Sequence, residues 1–183
     1  MANQDFPLSL NQINAMSVAE FVATFADVAE HSPWVAEAAA RFRPFANRKS
    51  VVAGFAQAML DADPERQLAL IRAHPDLAGK AAQRGELAEA SRKEQDGAGL
   101  DSLTSEEFER FTAFNNKYLS QFGFPFIFAV KGADKHMILE AFQARVTNEP
   151  EVEFQTALVQ ISRIFRFRLE DRIKNDVNDH ECE

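Results

Sequence analysis

Cysteine is nearly absent: Cys182 is the one thiol in 183 residues, so neither an intramolecular disulfide framework nor a thiolate metal cluster is expected. A reducing compartment fits that usage. Glycine is scarce, with seven residues, and Gly97 and Gly99 are too few to build a phosphate-cradling loop. No two of the four histidines, His31, His74, His136 and His180, stand at the i, i+4 spacing of a zinc pair, so no metal is expected. Basic residues are in the minority, 20 against 28 acidic, for a net charge of -8. That balance works against binding to phosphate backbones, and nucleic acid is not an expected partner. No stretch approaches the roughly 20 apolar residues needed to cross a bilayer, and MANQDFPLSL lacks a basic region followed by an apolar run. The ending Glu-Cys-Glu is not a peroxisomal address. A cytoplasmic location away from membranes is therefore expected.

What is present is phenylalanine. Seventeen Phe stand against one Tyr and one Trp in a chain that is 46% hydrophobic, enough for one domain spanning 1–183 with an aromatic interior that needs few internal hydrogen bonds. The apolar spacing is helical almost throughout. Ser17-Val18-Ala19-Glu20 is a capping box before Phe21, Phe25 and Val28, and it predicts a helix to about Glu30. Ser32-Pro33 opens a short helix through Trp34 toward Phe42, and Pro44 closes it. Ser50 precedes Val52, Phe55 and Met59, and Asp63-Pro64 starts a helix carrying Leu68 and Ile71.

The second half continues the pattern. Ala78 to Gln95 permits helix with a break at Gly85, and Gly97-Ala98-Gly99 marks a loop. Thr104-Ser105-Glu106-Glu107 is another capping box, opening a helix through Phe108, Phe111, Phe114, Tyr118 and Phe122 that ends at Gly123. Phe124 to Val130 is apolar without helical spacing and reads as a buried extended segment. Further helices run from Asp134 and, after Asn148-Glu149-Pro150, to about Lys174. The expected class is all-α, a single-domain bundle of about seven or eight helices with one short extended apolar segment.

Two places raise chemical questions. His74 precedes Pro75, which disfavours the α region for the residue before it, so the helix must end there and the ring can face a cleft. The imidazole can move protons near neutral pH, although a helix-terminal histidine satisfied by a carbonyl is equally compatible with the pattern. Glu94 could hydrogen-bond such a ring or be a solvated carboxylate in a charged run, and Ser91 reads as a polar contact. On the last helix Phe154, Leu158, Ile161 and Phe165 share one stripe, and Arg168 falls on it. An inward arginine requires an anion, either a protein carboxylate or a ligand. Arg145, on the stripe of Ile138 and Phe142, poses the same question.

Taken together, His74-Pro75-Asp76-Leu77-Ala78-Gly79, Ser91 with Glu94-Gln95, Ala98-Gly99-Leu100, Phe122-Gly123-Phe124-Pro125-Phe126-Ile127 and Arg168-Leu169, with the early helix around Phe21, make a chain that resembles the 2-oxo-4-hydroxy-4-carboxy-5-ureidoimidazoline (OHCU) decarboxylase family of urate breakdown. The resemblance implies an all-helical, cofactor-independent homodimeric enzyme that converts OHCU, a small anionic substrate, to (S)-allantoin. Carried over by motif position, His74 is the catalytic histidine and Glu94 its partner. Pro75, Ser91, Gln95 and Arg168 become substrate contacts, and Phe124, Phe126 and Ile127 line the pocket and offer backbone amides. Two other readings fit less of the chain. His-Pro-Asp also marks J-domain co-chaperones, but the helix before it here has only Arg66 and Arg72 as basic residues. A non-catalytic helical scaffold would have no need of His74, Glu94 and Arg168 together.

Overall fold

Side chains that hold their own helix ends account for most of the element boundaries in this computed structural model, which describes residues 6–79, 82 and 84–175. Residues 176–183, with His180 and Cys182, lie outside the described residues. Helix α1, Leu10–Ala15, starts at Ser9, which forms a capping box with Gln12. Spacing did not predict it, because Ile13 is its buried residue and no apolar stripe can form over so few positions. Helix α2, Val18–Phe25, has the expected Ser17 and Glu20 box. It stops short of Glu30 because the carbonyls of Asp27 and Val28 turn away to the Arg168 guanidinium, each 3.3 Å from Nη1.

Helix α3, Trp34–Ala39, tightens into a 3-10 turn over Ala40–Phe42. Helix α4, Arg48–Leu60, is capped by Asn47, with Ser50 in the third helical position as its reciprocal partner, so it begins earlier than Ser50 suggested. Asn47 accepts from Ser50 N at 2.7 Å and Ser50 Oγ accepts from Asn47 N at 3.1 Å. Helix α5, Pro64–Ala73, ends at the residue before His74 as Pro75 requires. Of the permissive stretch after it, the part described as regular helix is α6, Glu89–Gly97. Gly97 is thus inside a helix, and Gly99, with φ +73°, makes the turn that follows.

Helix α7, Ser105–Phe122, opens at the Thr104 and Glu107 box and closes on Gly123 in the left-handed region. Residues 124–130 follow with no regular structure, as expected. Helix α8, Lys135–Arg145, is capped by Asp134, and α9 is Pro150–Glu170. The last helix ends before Lys174 because the chain pairs there with residue 8: Lys174 N donates to Leu8 O at 2.9 Å and Leu8 N to Arg172 O at 2.7 Å. Among the described residues there are nine α-helices and no strand beyond that single bridge. The fold is all-α, and α1 accounts for the helix beyond the expected number.

The chain forms two compact units, one of residues 1–70 with 162–183 and one of 71–161. In the first, Phe21 lies 4.9 Å from Phe25, 6.1 Å from Phe45 and 6.0 Å from Phe55 between ring centroids, and Phe55 meets Phe165 edge-on. Gly54 lets α4 approach this cluster, since a Cβ there would stand 3.0 Å from the Phe45 ring. In the second, Phe111, Phe114, Tyr118 and Phe126 gather round Phe142, with Phe126 stacked on it at 3.7 Å. The phenylalanine excess therefore fills both interiors.

Candidate active site

The histidine loop is built from the end of α5. His74 keeps a turn bond from its N–H to Ile71 O at 3.2 Å, and its side chain is buried. Pro75 and Asp76 are half-buried, and burial pushes the Asp76 carboxyl above its ordinary range. Ala78 takes φ +51°, a region costly for a residue with a Cβ. Gly79 lies so close to Asp76 that a Cβ on it would meet the Asp76 Cβ at 2.6 Å.

Side chains of two other helices hold this loop. Gln95 Oε1 accepts from Ala78 N at 3.0 Å and Gln95 Nε2 donates to Asp76 O at 3.4 Å. Asn115, on the Phe111 and Tyr118 face of α7, donates from Nδ2 to Leu77 O at 2.8 Å. The strained backbone of 76–78 is thereby satisfied from outside, as buried amides require. Ser91 and Gln95 are buried one turn apart on α6, with Glu94 half-buried beside them. The structure thus brings the first two motif stretches, His74 to Gly79 and Ser91 to Gln95, to one place. A cavity of about 630 Å³ borders Ala78, Arg92, Gln95 and Phe108, with Gln95 the one expected site residue on its wall.

The third stretch is fixed separately. Phe124, Phe126 and Ile127 are all buried. Arg72 Nε donates to Gly123 O at 3.0 Å, and Gln160 Oε1 accepts from Ala129 N at 3.0 Å. Arg145 answers the question its position raised. Its Nε bonds Glu153 Oε1 at 2.9 Å, its Nη1 bonds Ile127 O at 2.7 Å, and its guanidinium lies 4.3 Å over the Phe126 ring. Tyr118 donates to the same Glu153 oxygen, and Asn148 Nδ2 donates to Oε2 at 2.8 Å. Burial and the adjacent Glu153 carboxylate push the Tyr118 phenol upward, which keeps it a proton donor.

Arg168 belongs to the other unit. It is buried, as its stripe predicted, and its Nη1 donates to Glu30 Oε2 at 3.1 Å with both side chains under 5% exposed. An ion pair is thus present at this position. The same pattern, a polar group on an apolar helical stripe, marks Asn115 between Phe111 and Tyr118, whereas Glu153 stands about 100° round the helix from Phe154 and carries no such signal. Among the described residues no cluster of three or more His, Cys, Asp or Glu side chains could hold a metal ion.

Known proteins share this fold. A solved structure described as (S)-allantoin synthase superimposes with a TM-score of 0.74 at 31% identity, over 91% of this chain and 54% of that one. The fold class is therefore that of a helical enzyme domain. The family model for OHCU decarboxylase matches residues 14–170, and the chain belongs to that family. The 2-oxo-4-hydroxy-4-carboxy-5-ureidoimidazoline decarboxylase of Haloferax volcanii is 40% identical over 92% of this chain and 98% of its own length. The Uric acid degradation bifunctional protein PucL of Bacillus subtilis is 41% identical over 90% of this chain, which spans 33% of that protein.

Proposed function

We propose that this protein decarboxylates OHCU to (S)-allantoin in urate degradation, with His74 as acid/base, Glu94 as its partner, and Pro75, Ser91, Gln95, Arg168 and the Phe124, Phe126 and Ile127 segment as substrate contacts. The observation that carries the reading is the hold of Gln95 on the 76–78 backbone. It joins the histidine loop to the helix bearing Ser91 and Glu94, in a chain of this family. Gln95 can serve both purposes, because an amide NH₂ has two donor hydrogens and the loop takes one.

The chemistry suits these groups. Loss of carbon dioxide breaks the carbon–carbon bond and leaves its electron pair on the ring carbon that bore the carboxylate, where the substrate's conjugated ring can spread it. A proton then adds to that carbon. The protein has to orient the substrate and move protons. His74, as the acid/base of this reading, passes a proton to or from the substrate's hydroxyl or carboxylate, and a guanidinium such as Arg168 suits an anionic oxygen. Protonation of one face sets the (S) configuration.

We infer further that residues 1–183 act as one domain, that the enzyme is a homodimer and that it works in the cytoplasm without a cofactor; family membership supports these points. In the described residues no helix is long and apolar enough to cross a membrane. The test is to generate OHCU freshly from urate and follow optical rotation with and without the protein. Optically active allantoin is expected from the wild type, and folded His74→Ala should lose about 10²- to 10⁴-fold in rate. A racemic product at the uncatalysed rate would leave the chain a helical scaffold of the family's shape.

A further inference from the structure

We propose that Arg145 and Glu153 are positioning residues for the substrate-facing amides of residues 126–128, and that the buried network around Glu153 exists to aim this backbone. This rests on the reading above, in which that segment receives the substrate. The segment has no regular structure, so nothing in a helix or sheet fixes its peptide planes. It is instead gripped at points. Arg145 Nη1 takes the Ile127 carbonyl at 2.7 Å, Gln160 takes the Ala129 N–H at 3.0 Å, and the Phe126 ring meets both the Arg145 guanidinium and Phe142.

Fixing the Ile127 carbonyl fixes the peptide plane it shares with the Phe128 N–H, which points the opposite way. The N–H groups of Phe126, Ile127 and Phe128 find no acceptor among the described residues, although Phe126 and Ile127 are 1% and 2% exposed. Consecutive peptide donors so enclosed are rare unless something takes them. Arg145 is itself aimed by Glu153, a fully buried carboxylate whose two oxygens are held by Tyr118, Arg145 and Asn148. Each member of the network therefore ends, through the guanidinium, on the Ile127 carbonyl and the Phe126 ring.

The decisive variant removes both charges together, Arg145→Met with Glu153→Gln, because replacing a buried pair by neutral groups of similar size is often tolerated whereas breaking it is not. In the full chain this double variant is expected to fold with a melting temperature near that of the wild type. Its KM for OHCU should rise about tenfold with kcat little changed, since the lost hold acts on binding. Arg145→Lys, which keeps one donor toward Ile127 O, should recover part of that rise. Amide exchange at 126–128 in the substrate-free protein should accelerate, while the α7 and α8 core stays protected. A folded double variant with wild-type KM and wild-type exchange at 126–128 would overturn the proposal and leave the network purely structural. Should the double variant not fold, Arg145→Lys alone, which keeps a cation beside Glu153 but cannot hold Glu153 and the Ile127 carbonyl in the arginine's geometry, is measured the same way: a smaller KM rise and faster exchange support the proposal, and unchanged values overturn it. If the wild type itself fails to convert OHCU, the proposed function falls, and exchange at 126–128 still decides whether the network holds this backbone.

Discussion

Gly79 shows how little room the histidine loop has. A methyl group there would stand 2.6 Å from the Asp76 Cβ and 3.3 Å from the Asp76 carbonyl oxygen. Gly79→Ala should therefore shift the loop, cost about 1–3 kcal/mol in stability and lower decarboxylation through misplacement of His74. Thermal melts and steady-state rates on the same preparation check it; a fully active, equally stable variant would show that the loop does not need its tight geometry. Arg168 is governed by a different term. Arg168→Met leaves the Glu30 carboxylate buried without its cation and should cost about 3–5 kcal/mol, whereas Arg168→Met with Glu30→Gln should recover most of that. Urea unfolding of both variants measures the difference. Loss of stability at this position follows from the ion pair, so a substrate role is read from KM in folded Arg168→Lys.

At the scale of the element, the start of α7 couples a cap to an ion pair. Glu107 closes the Thr104 box and bonds Lys135 of α8, with Nζ 2.6 Å from Oε1. The Lys135 hydrogen bond, followed by the Thr104 backbone N–H, holds its carboxyl down at about 2 from an ordinary 4.5. A depressed folded value means that the charged form stabilises the fold at pH above 4.5 and that this contribution fades as pH falls toward 2. Glu107→Gln keeps the capping geometry and removes the charge. The gap in melting temperature between wild type and variant should be widest above pH 5 and narrow progressively toward pH 2; a gap constant over that range would show the charge to be irrelevant. Capping boxes of this kind were legible because they are local: Ser17 with Glu20 and Thr104 with Glu107 span three residues each and depend on no distant partner. Helix ends set by distant groups were not legible. The Asp27 and Val28 carbonyls leave α2 for an arginine about 140 positions away, and the α9 end is set by pairing with Leu8.

At the scale of the whole molecule, the chain forms two compact units, each with its own aromatic interior. The proposal of a single domain then predicts one cooperative unfolding transition with equal calorimetric and van't Hoff enthalpies. Two resolved transitions would refute it. The proposed homodimer predicts a mass of twice 20.5 kDa in sedimentation equilibrium. Both interiors are phenylalanine clusters, in which burial of large rings with few polar atoms supplies the driving force and edge-on contacts set the geometry.

The amino-acid sequence by itself determined the all-α class, the two strongest helix starts, the break at His74-Pro75, the extended apolar segment and the inward face of Arg168. Each is a matter of periodicity or of backbone demands within a few residues. Tertiary structure alone decided what the buried polar groups meet. Gln95 turns its amide to the backbone of residues 76–78, Asn115 meets Leu77, and Arg145 divides its guanidinium between Glu153 and the Ile127 carbonyl. A stripe can show that a polar side chain points inward and must be satisfied. Its partner lies across a loop closure of 17 or 38 residues, and only the packing of the helices brings the two within hydrogen-bond reach.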